Sequence, residues 1–148
     1  MKVINRKYNR EYEKIEGYEV GIVLTGAEVK SVKRGNIHLE DAFVRFLDDG
    51  PYLVNADIPI YKFARPVGYD SRRSRKLLLH KSEIIRLATK LKSAKGLTIA
   101  PLACYNKGSL VKLEIALSKG RREIGKKKLE KSRDIERQEK RELKEYLR

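Results

Sequence analysis

The sequence predicts a mainly β fold: a small antiparallel OB-like β-barrel with two or three peripheral helices and a basic C-terminal tail. Three observations carry that prediction. Short stretches of alternating apolar and polar residues recur between turn signals. They lack the strand–helix–strand alternation that a parallel sheet requires. At Lys119 the composition changes, with thirteen Lys/Arg and seven Asp/Glu from there to Arg148. The apolar residues left in that segment form no stripe able to anchor a helix. Residues 1–118 are therefore read as one barrel domain. Residues 119–148 are read as a tail, disordered alone and helical once a partner screens its charge.

The elements follow in order. Ile15–Leu24 is expected to be a strand, with Tyr18, Val20, Ile22 and Leu24 on one face. Glu19 falls on the other face between Gly17 and Gly21, where neighbouring chain can approach closely. Thr25-Gly-Ala-Glu28 matches a capping box, so a helix should run from Gly26 to Arg34 and stop at Gly35. Its outward residues are Lys30, Lys33 and Arg34. Ile37–Leu47 and Tyr52–Ile60 read as strands joined at Asp48-Asp-Gly-Pro51. Pro59 and Pro66 bracket a loop carrying Tyr61, Lys62, Phe63 and Arg65.

Tyr69–Leu79 then sets four cations, Arg72, Arg73, Arg75 and Lys76, directly before three leucines. A guanidinium cluster at the rim of a core suits forked contacts with phosphate. Ser82 opens a second helix, with Ile84, Leu87, Ala88 and Leu91 on one side and Gly96 at its end. Leu97–Tyr105 and Leu110–Ser118 form a second hairpin about Asn106–Ser109, and Pro101 implies an edge or a bulge.

The chemistry of catalysis is sparse, so an enzyme is not expected. His38 and His80 are the only histidines and Cys104 the only thiol, in no metal-binding spacing. Cys104 lies in an alternating strand and reads as a small core residue. Asp48-Asp49 and Glu40-Asp41 are adjacent pairs whose side chains point apart. No glycine-rich phosphate loop precedes a Lys-Ser/Thr, so no cofactor is implied.

Charge points instead to a polyanion. The net charge is +15, which favours nucleic acid over a membrane. No apolar run approaches the roughly 18 residues of a membrane span, and no signal peptide is visible. A single cysteine fits a reducing cytoplasm. Cations recur at Lys2, Arg6, Lys7 and Arg10, on the first helix, at Arg72–Lys76 and along the tail. Tyr8, Tyr12, Tyr18, Tyr61, Phe63 and Tyr69 are interspersed as candidate stacking groups. On these residues alone, a general single-strand-binding OB module and a ribosome-associated structural protein both stay open.

Five motifs narrow the choice: Asn5-Arg-Lys, Tyr18-Glu-Val-Gly-Ile22, Gly26-Ala-Glu-Val-Lys-Ser31, Arg75-Lys-Leu-Leu-Leu79 and Lys119-Gly120. In this order and spacing they resemble the small protein B (SmpB) family. The resemblance implies a non-enzymatic adaptor that grips the tRNA-like part of transfer-messenger RNA and brings it to stalled ribosomes. It implies RNA, not DNA, as the ligand. Elongation factor Tu and alanyl-tRNA synthetase are implied as indirect partners. The tail would lie in the messenger channel at the small-subunit decoding centre, and unfinished polypeptides would be tagged for proteolysis.

In that family Glu19, Leu78 and Lys112 occupy positions tied to RNA binding. Glu19 would position RNA-facing groups, and Leu78 would be a support beneath the surface. With the cations, the candidate RNA-binding set is Asn5, Arg6, Lys7, Glu19, Lys30, Lys33, Arg34, Arg72, Arg73, Arg75, Lys76, Leu78 and Lys112. For the decoding centre and channel it is Lys119, Arg121, Arg122, Lys126, Lys127 and Lys128. Two departures stand out. Ser71 follows Asp70 where the family usually has Pro, and Gly125 stands where Asp is usual in the tail motif.

Overall fold

The computed structural model describes residues 1–64, 67–121 and 123–146. Among these residues there are seven strands: β1 (Lys2–Ile4), β2 (Tyr12–Ile22), β3 (Phe43–Leu47), β4 (Gly50–Val54), β5 (Arg75–Leu78), β6 (Leu97–Lys107) and β7 (Leu110–Gly120). Four helices accompany them: α1 (Tyr8–Glu11), α2 (Gly26–Lys33), α3 (Lys81–Ser93) and α4 (Glu123–Tyr146). All pairings are antiparallel, in the order β1-β6-β3-β4-β5-β2-β7, and β7 pairs again with β6. Six strands thus close into a ring, and β1 is added on the outer edge of β6. The mainly antiparallel β architecture with peripheral helices is the predicted one.

Side-chain alternation builds the interior. Val20, Ile22, Val44, Leu53, Leu77, Ile99, Leu113, Ile115 and Leu117 point inward and are buried. Val32 of α2 and Leu87 of α3 complete this core from outside the ring. Cys104 belongs to it too, and burial pushes its thiol up to about 12, so it stays protonated. The capping box forms as read: the Thr25 hydroxyl accepts from the Glu28 backbone N–H, and the Glu28 carboxylate accepts from that of Thr25.

Several boundaries differ from the sequence reading. β2 starts at Tyr12, because a bulge between Lys14 and Glu16 carries the strand past an exposed Ile15. Ile37 and Leu39 are buried, yet only His38 makes a bridge, to Asp57, before Glu40 and Asp41 turn the chain into β3. β4 ends at Val54 because Asn55 adopts φ +66°, which breaks the pairing. Pro101 does produce a bulge, between Pro101 and Ala103.

Two polar residues expected at the RNA surface are inside the protein instead. Asn5 is 4% exposed and holds β1 to the ring. Its amide donates to the carbonyls of Leu39 (3.3 Å) and Pro101 (2.9 Å), the latter beside the bulge. Arg75 is fully buried. The period of the strand explains it: Arg75 and Leu77 point inward, Lys76 and Leu78 outward. Its Nε donates to Glu28 (2.6 Å), and its Nη atoms donate to the carbonyls of Ala56 (2.8 Å) and Ser71 (3.0 Å). Arg73 reaches the same carboxylate from the rim at 2.5 Å. Burial alone would raise the Glu28 carboxyl, but the Thr25 N–H and the two guanidinium groups outweigh it and hold it below the usual range.

Removing one partner of this pair leaves a buried charge uncompensated. Arg75→Ala should therefore destabilise the fold by about 3–5 kcal/mol, whereas Arg72→Ala, at an exposed side chain, should cost within about 0.5 kcal/mol. Thermal unfolding of the two variants checks this. Because Glu28 is depressed in the folded state, its contribution is present above the ordinary carboxylate value of about 4.3 and is lost as pH falls through its lower folded value. Glu28→Gln should flatten that part of the acid unfolding profile.

Candidate nucleic-acid interface

Strand register brings distant residues into one row on the outer face. Lys2 of β1 lies opposite Tyr105 of β6, which lies opposite Lys112 of β7. Lys112 lies opposite Gly21 of β2, and Gly21 lies opposite Leu78 of β5. At the usual strand spacing this five-strand row spans about 19 Å. Glu19 sits two residues along β2 on the same face, between Gly21 and Gly17.

Gly21 is the gap in this row. A Cβ there would meet the Leu78 Cβ and Cδ1 at 3.3 Å. Without it, a groove opens between Leu78, Leu110 and Lys112, with Leu24 and Val29 on its wall. Leu78 is 56% and Leu110 60% exposed, so the groove presents bare apolar surface. Leu78 was expected beneath the surface. Its place on β5, one step from inward Leu77, puts it in the open instead.

Glu19 is organised by its neighbours. Its carboxylate accepts from the Tyr105 hydroxyl and from Lys107 (3.3 Å). Those two bonds, Tyr105 first, hold its carboxyl below the usual range. The same bond pushes the Tyr105 hydroxyl up to about 12. At neutral pH the row thus presents a fixed carboxylate with free lone pairs, flanked by Lys107 and Lys112. A carboxylate repels phosphate but accepts from base amino groups and ribose hydroxyls. Tyr105, Lys107 and Leu110 were not singled out from the sequence, since only the register places them beside Glu19 and Leu78.

The remaining candidates divide by location. Lys30, Lys33 and Arg34 are exposed on or just past α2, and Arg72 and Arg73 are exposed on the loop before β5. Arg72 donates to Asn55 (2.9 Å), so its orientation is fixed. Lys76 points outward on β5, within 3.9 Å of Asp49. Arg6 and Lys7 are exposed between β1 and α1. Tyr8, a stacking candidate, is buried, and its hydroxyl meets the Ser118 hydroxyl at 2.5 Å.

The tail leaves from the other end of the β2–β7 pair, where Tyr12 lies opposite Gly120. From there to the Gly21–Lys112 step is roughly 30 Å along the strand. Lys119 is exposed at this end. Arg121 is committed to the body: its Nε donates to the carbonyls of Asn9 (3.0 Å) and Tyr12 (3.2 Å), and its backbone N–H to that of Glu11 (2.9 Å). These contacts tie the start of the tail to the last turn of α1 and the first residue of β2. Arg10 bonds Glu130 of α4 at 2.5 Å. Lys126, Lys127 and Lys128 lie in the first turns of α4, their side chains outside the described part, and Arg122 lies outside the described residues.

A family model described as "SmpB protein" matches residues 2–145. The chain belongs to the SmpB family. A relative named "SsrA-binding protein" in Sulfurihydrogenibium sp. (strain YO3AOP1) is 47% identical over 134 residues, covering 90% of this chain and 88% of the relative. Another of that name in Coprothermobacter proteolyticus is 46% identical, covering 96% and 97%. A solved chain from "tmRNA-SmpB: a journey to the center of the bacterial ribosome" superposes with a TM-score of 0.67 at 40% identity, covering 85% of this chain and 92% of that one.

Filling the gap tests whether the groove is a contact surface. Gly21→Ala should set its Cβ 3.3 Å from the Leu78 Cβ and Cδ1, so that β5 gives way by a few tenths of an ångström and the melting temperature falls only slightly. RNA affinity should fall several-fold in a filter-binding assay.

Proposed function

We propose that this protein is a cytoplasmic RNA-binding adaptor of ribosome rescue. It binds the tRNA-like part of transfer-messenger (SsrA) RNA and carries it to stalled ribosomes. The observation that carries this reading is the row Lys2–Tyr105–Lys112–Gly21–Leu78 with Glu19 beside it, on a body that bears an unbalanced positive charge. The names of the relatives and of the solved neighbour support the same partners.

The chemistry divides into two parts. Lys112, Lys107 and the cations Lys30, Lys33, Arg34, Arg72, Arg73 and Lys76 attract phosphate and release counterions, giving salt-dependent affinity. Glu19, Leu78 and Leu110 contribute shape and hydrogen-bond selectivity, because a general polyanion binder has no use for a carboxylate and bare leucines in its groove. Arg75 and Asn5 act from inside, by fixing β5 and β1. No catalytic role is assigned: Cys104 is buried and its thiol protonated. Among the described residues no helix is long and apolar enough to cross a membrane.

The tail is the second functional part. On this reading it enters the messenger channel at the decoding centre, where Lys119, Lys126, Lys127 and Lys128 meet ribosomal RNA, and its order depends on that setting. β7 continues to Gly120 and Arg121 seals α1, so a clean separation leaves both in place. A chain ending at Arg121 should bind transfer-messenger RNA nearly as tightly as the whole protein, yet fail to support tagging on stalled ribosomes in a purified translation system. Equal loss of RNA binding would refute the division. Equally tight binding of unstructured RNA by the whole protein would favour a general single-strand binder, and stoichiometric binding to ribosomes without transfer-messenger RNA a ribosomal structural protein.

A further inference from the structure

The loop that follows Ile58 carries an aromatic pair outside the row described above. Tyr61 and Phe63 meet edge to face, with ring centroids 5.6 Å apart and planes at 66°. Lys30 Nζ stands 5.5 Å and Arg34 Cζ 5.1 Å from the Tyr61 ring centre, and Arg34 Nη2 donates to the Tyr61 hydroxyl at 3.5 Å. Lys62 Nζ lies 5.6 Å from the centre of Phe63. The loop is tied to α2 by the Ser31 hydroxyl, which donates to the Pro59 carbonyl at 2.8 Å. Phe63 is nevertheless 68% exposed.

Three features select the occupant. A phenylalanine mounted on a second ring is preoriented for stacking, and it contributes nothing to the buried core. Among the described residues, none of Lys30, Lys33, Arg34 and Lys62 lies within ion-pair distance of a carboxylate. Their charge is therefore free for an anion. Val29 lines the Leu78–Lys112 groove, while Lys30 and Arg34 of the same short helical segment flank Tyr61. Groove and aromatic pair thus lie on neighbouring sides of one helix, whose diameter is about 10 Å.

We infer that Phe63, supported by Tyr61, stacks on an unpaired base of the RNA whose phosphates lie on Lys30, Lys33 and Arg34. The inference rests on the RNA-binding reading and extends it: the ligand must offer a flipped or looped nucleotide beside the structured part that fills the groove. Base stacking on an exposed ring is tolerant of base identity, whereas the flanking cations set register through phosphate.

The test uses the full-length protein and the tRNA-like RNA fragment, with affinities measured at several salt concentrations. Phe63→Ala should lose roughly tenfold in affinity with an unchanged salt slope and melting temperature, and Phe63→Trp should restore binding. Lys33→Ala should reduce the salt slope by about one. An RNA whose looped nucleotides are locked into duplex should bind wild type and Phe63→Ala alike. If Phe63→Ala binds the fragment like wild type while Lys112→Ala is weakened, the stacking inference falls and the adaptor reading stands. A Phe63→Ala loss that persists on fully paired RNA also overturns it. If wild type itself fails to bind the fragment, the adaptor reading falls.

Discussion

The Glu28 carboxylate is the constraint on which the binding surface depends. It caps α2 through Thr25, takes Arg75 from the interior of β5 and takes Arg73 from the preceding loop. Through Arg75 it also reaches the carbonyls of Ala56 and Ser71, which lie on either side of the aromatic loop. One buried carboxylate therefore sets the position of α2, of Leu78 and of the chain carrying Tyr61 and Phe63. A buried ion pair is weak evidence for net stability, because desolvation opposes it, but it is demanding about geometry. Here the geometry is that of the surface above it.

Much of this was legible in the sequence, and the failures have a common origin. The capping box, the two hairpin turns, the Pro101 bulge and the apolar face of α3 are local patterns, and each formed where its chemistry requires. Asn5 and β1 were not legible as structure, because a three-residue strand shows no periodicity and its partner Cys104 lies a hundred residues on. Arg75 was misread for a different reason. Treating Arg72–Lys76 as one charged cluster ignored the two-residue period that already ran through Arg75-Lys-Leu-Leu. Applied there, the period separates the buried guanidinium from outward, half-buried Lys76, and buried Leu77 from exposed Leu78.

The interface was legible only in pieces. Glu19, Leu78 and Lys112 were grouped by the family resemblance but by no spatial relation, and the register joins them through a residue that has no side chain. Gly21 matters by what it leaves open. Had that position held a β-branched residue, which the strand would otherwise favour, Leu78 would be pressed against it and the groove would close. The cations on every side give attraction but little discrimination, since phosphate is the same along any RNA. On the proposed reading, discrimination comes from groups that attraction alone would not select, Glu19 and the two bare leucines.

The same strands that build the groove also set the tail's origin. β2 and β7 are paired from Tyr12–Gly120 to Gly21–Lys112, so the separation of the two ends is fixed by strand rise, not by a loop. At the tail end the chain is not released freely. Arg121 satisfies the last carbonyls of α1, and Arg10 of α1 bonds Glu130 one helical stretch later. An exposed pair such as Arg10–Glu130 is worth well under the energy of folding and is screened by salt, so it can direct the tail without locking it. The Arg121 contacts are of another kind, three hydrogen bonds to the main-chain carbonyls of Asn9, Glu11 and Tyr12. The body thereby sets roughly 30 Å between the groove proposed for RNA at one end and the tail's starting point at the other. A cation read from the sequence as a ribosome contact, Arg121, is on this geometry the residue that fixes where the tail begins.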